Sequence, residues 1–191
     1  GMPPANDVLT AQEAVKTAQA GIISIESSLQ SVKQNLQVMT GWAYNAEPEI
    51  APMPELDITR IDAMNPETDL EKALETNYTL MIDKRTLENT DNAANQQITR
   101  QTIANDEQKI ASGLTDLYNQ VIQAKDSYDQ AQSALALEEQ NMAAAQTKYD
   151  LGMVSRLEYL QAQNTYIQSQ ADFRIQELSL QAAMDAYDWA L

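Results

Sequence analysis

The signals of a chain reversal lie within ten residues, Tyr149-Asp150-Leu151-Gly152-Met153-Val154-Ser155-Arg156-Leu157-Glu158. Gly152 follows a long helical pattern and is the residue type that most readily adopts the left-handed conformation at a helix end. Ser155 and Glu158 have the S-x-x-E spacing of a capping box, which predicts that a second helix begins here. Because two long helices joined by so few residues are antiparallel neighbours, the stretch predicts a helical hairpin.

The segment after this turn has the heptad pattern of a closely packed helix. Large residues recur every seven positions, and a row of mostly small residues follows each of them by three. Neither Pro nor Gly occurs from Met153 to Leu191, so we predict one uninterrupted helix. The large row is Tyr159, Tyr166, Phe173, Leu180 and Tyr187, and the second row is Ala162, Ser169, Gln176, Ala183 and Ala190.

The segment before the turn carries a similar seam. We predict a helix from about Ile98 to Asp150, which at 1.5 Å per residue is about 75 Å long. Glu138 interrupts its second row at a position typical of a solvent-facing or interhelical carboxylate. The main row is Leu114, Val121, Tyr128, Leu135, Met142 and Tyr149, and the second row includes Ile103, Ile110, Leu117, Ala124, Ala131 and Ala145.

The N-terminal segment repeats the design of the last helix. Superimposing Asp7 on Glu158 brings both rows into register without a gap, and an internal duplication accounts for this best. We expect the N-terminal seam and the two hairpin seams to bury against one another. The N-terminal rows are Val8, Val15, Ile22, Leu29 and Leu36, followed at +3 by Ala11, Ala18, Ile25, Val32 and Met39.

The pattern predicts an all-α protein of long antiparallel helical hairpins, a coiled-coil bundle with a Pro-rich connector. Its parts are a helix within 1–42, a connector over 43–68 with at most a short strand, and a hairpin over 69–191 with its tip at 150–157. Thr68 or Asp69 is the expected N-cap of the helix after the connector, which should continue through Leu87. The polar stretch from Asn89 to Gln101 either breaks that helix or continues it.

The composition argues against several functions. The 191 residues include no His and no Cys, and neither phosphate-cradling glycine motif occurs. We therefore expect no catalytic, cofactor-binding or metal site and no cofactor. The formal charge of -16 disfavours nucleic acid and anionic membrane surfaces, and no apolar run approaches the roughly 20 residues of a membrane-spanning helix. Gly1-Met2 has the form of a trimmed start, and no signal peptide is visible.

Several segments together resemble the TolC-like outer-membrane efflux proteins. The spacing Tyr149-x-x-Gly152-x-x-Ser155-x-x-Glu158, followed by a long Ala/Gln-rich helix, is similar to the tip of that family's second repeat. The run from Asp69 to Asn77 looks like the start of the second repeat, with Tyr78 where Pro is usual. The runs Asp7 to Gln12 and Leu36 to Trp42 resemble the segment after the first tip and the end of the first repeat.

The resemblance implies a periplasmic helical tunnel, usually a homotrimer in its full-length form, in the cell envelope. Such a protein catalyses nothing; it docks through its hairpin tips on a periplasmic adaptor and couples an inner-membrane pump to export. Carried onto this chain, the docking tip is Gly152, Met153, Val154 and Ser155, and the aperture residues are Tyr149, Arg156 and Glu158.

Three features depart from that family. It inserts a β-hairpin between the helices of each repeat, where this chain has only the polar stretch 89–101, so we expect no membrane insertion by this chain. The first helix and first tip are also absent. At the tip, Val154 and Gln161 stand where the charged aperture partners of Tyr149 are often found, and Arg156 is displaced by two residues.

Two functional hypotheses remain at this stage. The first is the tunnel part of an efflux duct. The second is a non-transporting coiled-coil scaffold or interaction protein derived from the same helical repeats. For the tip itself, a plain turn between two helices is the alternative to a docking surface.

Overall fold

A computed structural model describes residues 5–43, 46, 51 and 54–191, with the side chains of 5–7 left out. Those residues form six α-helices and no strand, so the predicted all-α class is confirmed. Part of the connector, where a short strand was considered, lies outside the described residues. The chain divides into two compact units, residues 1–54 and 55–191, which are described separately.

The first unit is built on α1, Ala5–Thr40. Gly41 ends the helix with a φ of 70°, and the amides of Gly41 and Trp42 donate to the carbonyls of Val38 and Gln37. This is the hydrogen-bond pattern of a Schellman cap. A residue with a side chain in place of Gly41 would be strained at this positive φ. The seam of α1 is exposed along most of its length, so its burial against the hairpin seams stays a prediction.

The second unit begins with two short elements that correct the sequence-based boundaries. After α2, Arg60–Ala63, helix α3 spans Pro66–Thr76 and is capped by Asn65 rather than by Thr68 or Asp69. The Asn65 side chain accepts from the amide of Glu67, while the Asp69 carboxylate accepts from the amide of Asn65 at 2.9 Å. The helix therefore starts inside the predicted connector, because Pro66 fits its first turn.

The next helix also differs from the expected continuous one. Asn77 separates α3 from α4, Tyr78–Glu88, with a ψ of 111° that ends the first helix. Its side chain then caps the second helix by accepting from the amide of Leu80 at 3.0 Å. The polar stretch interrupts the helical structure at residues 89–92, and the side chain of Asn92 caps the following helix.

The hairpin itself consists of α5, Ala93–Asp150, and α6, Arg156–Asp188. Helix α5 has 58 residues, or about 87 Å, and begins five residues earlier than expected. Three ring pairs, Tyr118–Tyr187, Tyr128–Phe173 and Tyr149–Tyr159, show that residue numbers fall on α6 as they rise on α5. The two helices are therefore antiparallel, as predicted.

The core lies at the end of the hairpin opposite the tip, which we call the base. On α5 the last buried residue before the tip is Tyr128, and on α6 the first buried residue after it is Leu180. Helices α2 and α3 complete this core, whereas the seam residues closer to the tip are only half-buried or exposed. The buried core residues are Ile61, Met64, Ala73, Leu114, Val121, Tyr128, Leu180, Met184 and Tyr187.

Polar contacts hold the start of the second unit to the end of α6. The guanidinium of Arg60 pairs with the carboxylates of Asp185 and Asp188. Hydrogen bonds from the side-chain amide of Gln181 and then from Arg60 hold the pKa of Asp185 below its usual value. The hydroxyl of Tyr187 donates to Asp69 at 2.7 Å, which links α6 to the first turn of α3.

Candidate functional site

The hairpin tip is shaped by a tight helix cap. Gly152 has a φ of 71°, as its predicted role requires, and its amide donates to the carbonyl of Tyr149 at 2.9 Å. The amide of Met153 donates to the carbonyl of Lys148 at 2.8 Å. These two bonds satisfy carbonyls at the end of α5 and turn the chain sharply.

The start of α6 is fixed by the predicted capping box. The hydroxyl of Ser155 accepts from the amide of Glu158 at 3.2 Å, and the carboxylate of Glu158 accepts from the amide of Ser155 at 2.7 Å. The backbone amide of Ser155 and then its hydroxyl hold the pKa of Glu158 below its usual value. The carboxylate of Glu158 therefore already accepts a hydrogen bond within the N-terminal cap of α6.

Three exposed apolar residues lie at or next to this turn, and we call Leu151, Met153 and Leu157 the tip patch. Their side chains are 69%, 70% and 66% exposed, respectively. Val154 is half-buried, so Met153 is the one exposed side chain of the two predicted apolar docking residues. The alternative in which both side chains fold back on neighbouring helices does not hold for Met153.

No hydrogen bond or ion pair joins the predicted aperture residues to one another within residues 54–191. Tyr149 stacks on Tyr159 across the hairpin, with ring centroids 4.8 Å apart and planes at 21°. Arg156 is exposed, and no ion pair of its side chain is seen in residues 54–191. Glu158 is held by the cap. A closing network built on these three residues stays a prediction.

Sequence reasoning missed two members of the tip patch. Leu151 and Leu157 lie outside the a/d seam, and apolar residues at a helix end off the seam are the signal that marks them. The polar contacts at the base were also missed. The contacts of Arg60 with Asp185 and of Tyr187 with Asp69 join residues 125 and 118 positions apart, so no local pattern connects them.

The described residues carry little other equipment for chemistry. Within residues 5–43 and 54–191, no cluster of three or more acidic residues is arranged to hold a metal ion. No helix of the described part is both long and apolar enough to cross a membrane. Comparisons with known protein families, curated proteins and solved structures find no match for this chain.

Proposed function

We propose that this chain is a helical component of a TolC-like export duct in the cell envelope, and that its hairpin tip docks on a periplasmic adaptor protein. The observation that carries the proposal is the tip patch of Leu151, Met153 and Leu157. The chain would catalyse no reaction. Its role would be to join the adaptor and its inner-membrane pump to the duct.

The tip patch is not needed to form the turn. Gly152 provides the backbone angle and Ser155 provides the cap, and both contacts leave the apolar side chains free. From Tyr128, the last buried residue of α5, the helix runs about 33 Å further to Asp150. Apolar side chains so far from the core contribute nothing to it and cost solubility unless a partner covers them.

A structural detail supports the family resemblance on which the proposal also rests. Tyr78, which stands where that family usually has Pro, is the first residue of α4 and follows the cap residue Asn77. The first helical position is the one that Pro favours, because its amide has no partner inside the helix. The helix boundary that a Pro at this position would favour is therefore present here even though the residue is Tyr78.

The test replaces the tip patch without altering the turn. In the full-length protein in its host, Met153→Ser with Leu157→Ser should abolish crosslinking of a photoreactive residue at Leu151 to an adaptor protein. The host should become as sensitive to detergents and antibiotics as a strain lacking the gene. The melting temperature of the purified chain should be nearly unchanged, because the patch lies outside the core.

The matched control is Ile98→Ser with Leu137→Ser, two exposed side chains of α5 away from the tip. This variant should keep both crosslinking and resistance. If the tip variant exports normally with its fold intact, the tip is only a turn and the docking proposal fails.

A scaffold or coiled-coil interaction protein is the second candidate, and one observation favours it. The apolar seam of α1 is exposed over almost its whole length, which is typical of a helix that pairs with another chain. Such a protein would keep its partners when the tip patch is removed and would leave drug resistance unaffected.

A further inference from the structure

Helix α1 carries an exposed apolar seam in strict heptad register. Nine of the ten seam positions are exposed and Leu36 is half-buried; the exposed fractions of the large exposed residues run from 42% at Val8 to 84% at Met39. A single seam repeating every seven residues favours a left-handed coiled coil, in which side chains of one helix fill the spaces of another.

The charges on α1 allow a second copy to approach. The whole chain has a formal charge of -16, but residues 5–40 include three acidic and two basic residues, a formal charge of -1. Of the positions directly flanking the exposed seam, only Asp7, Glu26 and Lys33 are charged. The others are Gln12, Ala14, Gln19, Gly21, Ser28, Asn35 and Thr40. Like-charge repulsion along this face is therefore small.

The sizes of the seam residues select one orientation. The second row has Ala in the first half of the helix and Ile, Val and Met in the second half. A parallel pair would place Ala11 on Ala11 and Ala18 on Ala18, which leaves gaps. An antiparallel pair in full overlap places each Ala against a Leu, and large side chains against small ones pack well. Its layers are Val8–Met39, Ala11–Leu36, Val15–Val32, Ala18–Leu29 and Ile22–Ile25, the second residue of each pair belonging to the second copy.

We propose that the seam of α1 is a self-association surface, covered by the α1 seam of a second copy in an antiparallel coiled coil. In this orientation Glu26 and Lys33 meet no like charge, since Glu26 lies next to Gln19 and Lys33 next to Gln12 of the other copy. A helix of 36 residues contributes roughly 20 side chains to such a contact, close to a stable interface of 20–30 residues a side. This pairing takes the place of the predicted burial of the α1 seam against the hairpin seams, and it does not rest on the function proposed for the tip.

The first experiment measures the mass of the full chain in solution. Light scattering after size exclusion should give twice the 21.2 kDa of one chain. Ile22→Asp puts a carboxylate into the two central layers and should raise the dimer dissociation constant by about 100-fold or more. Ile23→Asp is the matched control, because Ile23 is exposed on the same turn but lies off the seam, and it should stay dimeric.

The second experiment tests orientation and uses the absence of native Cys. Chains carrying Val8→Cys alone should not crosslink, because the two sulfurs would lie about 46 Å apart in the antiparallel pair. An equimolar mixture of Val8→Cys and Met39→Cys chains should form a disulfide between unlike chains, since one layer holds both positions.

Three results would overturn the proposal. One is a monomer at all concentrations. Another is a dimer that Ile22→Asp and Ile23→Asp affect equally. The third is efficient crosslinking of Val8→Cys to itself, which would show a parallel pair. None of these results bears on the tip variants, so the two proposals fail independently.

Discussion

At the scale of single residues, Tyr187 is the most constrained side chain in the base. It is fully buried, packs 6.3 Å from the ring of Tyr118 and donates its hydroxyl hydrogen to Asp69. Tyr187→Phe should lower the free energy of unfolding by about 1–3 kcal/mol, because it removes a hydrogen bond to a charged acceptor while keeping the ring. Urea denaturation at neutral pH measures the change.

The same residue predicts how stability depends on pH. Burial, and then the bond to Asp69, raises the pKa of Tyr187 above its usual value. Below about pH 10 the hydroxyl is protonated in both states, so its stabilising contribution is complete. Above that pH the unfolded chain releases the proton and the folded chain retains it, so stability falls. The free energy of unfolding should fall less steeply above pH 10 in Tyr187→Phe than in the parent. Tyr166→Phe removes only a surface hydrogen bond from Gln170 and should show the same pH dependence as the parent.

At the scale of elements, the hairpin is unevenly packed. On α5 the buried residues are Ile103, Leu114, Val121 and Tyr128, and none of the 22 residues from 129 to 150 is buried. Helix segments with few buried contacts open locally at lower cost. Amide hydrogen exchange should therefore be slowest over residues 103–128 and become faster from 129 to 150, as mass spectrometry of peptides can resolve.

Helix α6 supplies the internal control for that experiment. Its buried residues, Leu180, Met184 and Tyr187, lie at the base, so protection should run in the opposite direction along its sequence. Equal protection at the tip and the base in both helices would contradict the prediction and would show that the outer half of the hairpin is covered.

At the scale of the whole molecule, net charge is the dominant electrostatic feature. The 28 acidic and 12 basic residues leave an excess of negative charges that repel one another. The ion pairs of the described residues lie mostly at the surface, where such pairs contribute little to the stability of the fold. Screening should therefore stabilise the fold. The melting temperature should rise by a few degrees between about 10 mM and about 500 mM NaCl.

The salt experiment is best done on Ile22→Asp, so that association through α1 does not contribute. KCl should give the same shift as NaCl if screening is the cause. A melting temperature that falls with salt would show that the surface ion pairs outweigh the general repulsion.

Local sequence patterns determined much of this structure. The heptad rows predicted α5 and α6, and the short connection between them predicted their antiparallel packing. Gly152, Ser155 and Glu158 determined the turn, since a cap depends only on residues within one turn of each other. The seam of α1 was equally readable, because its repeat is contained in one segment. The exposed tip could also be anticipated, since Met153 lies beyond both helices.

Other features were decided only by the tertiary structure. The row of large residues continues through α5 to Tyr149, but only the base receives α2 and α3, so Tyr128 is buried while Tyr149 is exposed. The contact of Tyr187 with Asp69 joins residues 118 positions apart, which no local pattern records. A periodic sequence specifies which face of a helix is apolar, whereas burial also depends on which other elements reach that face.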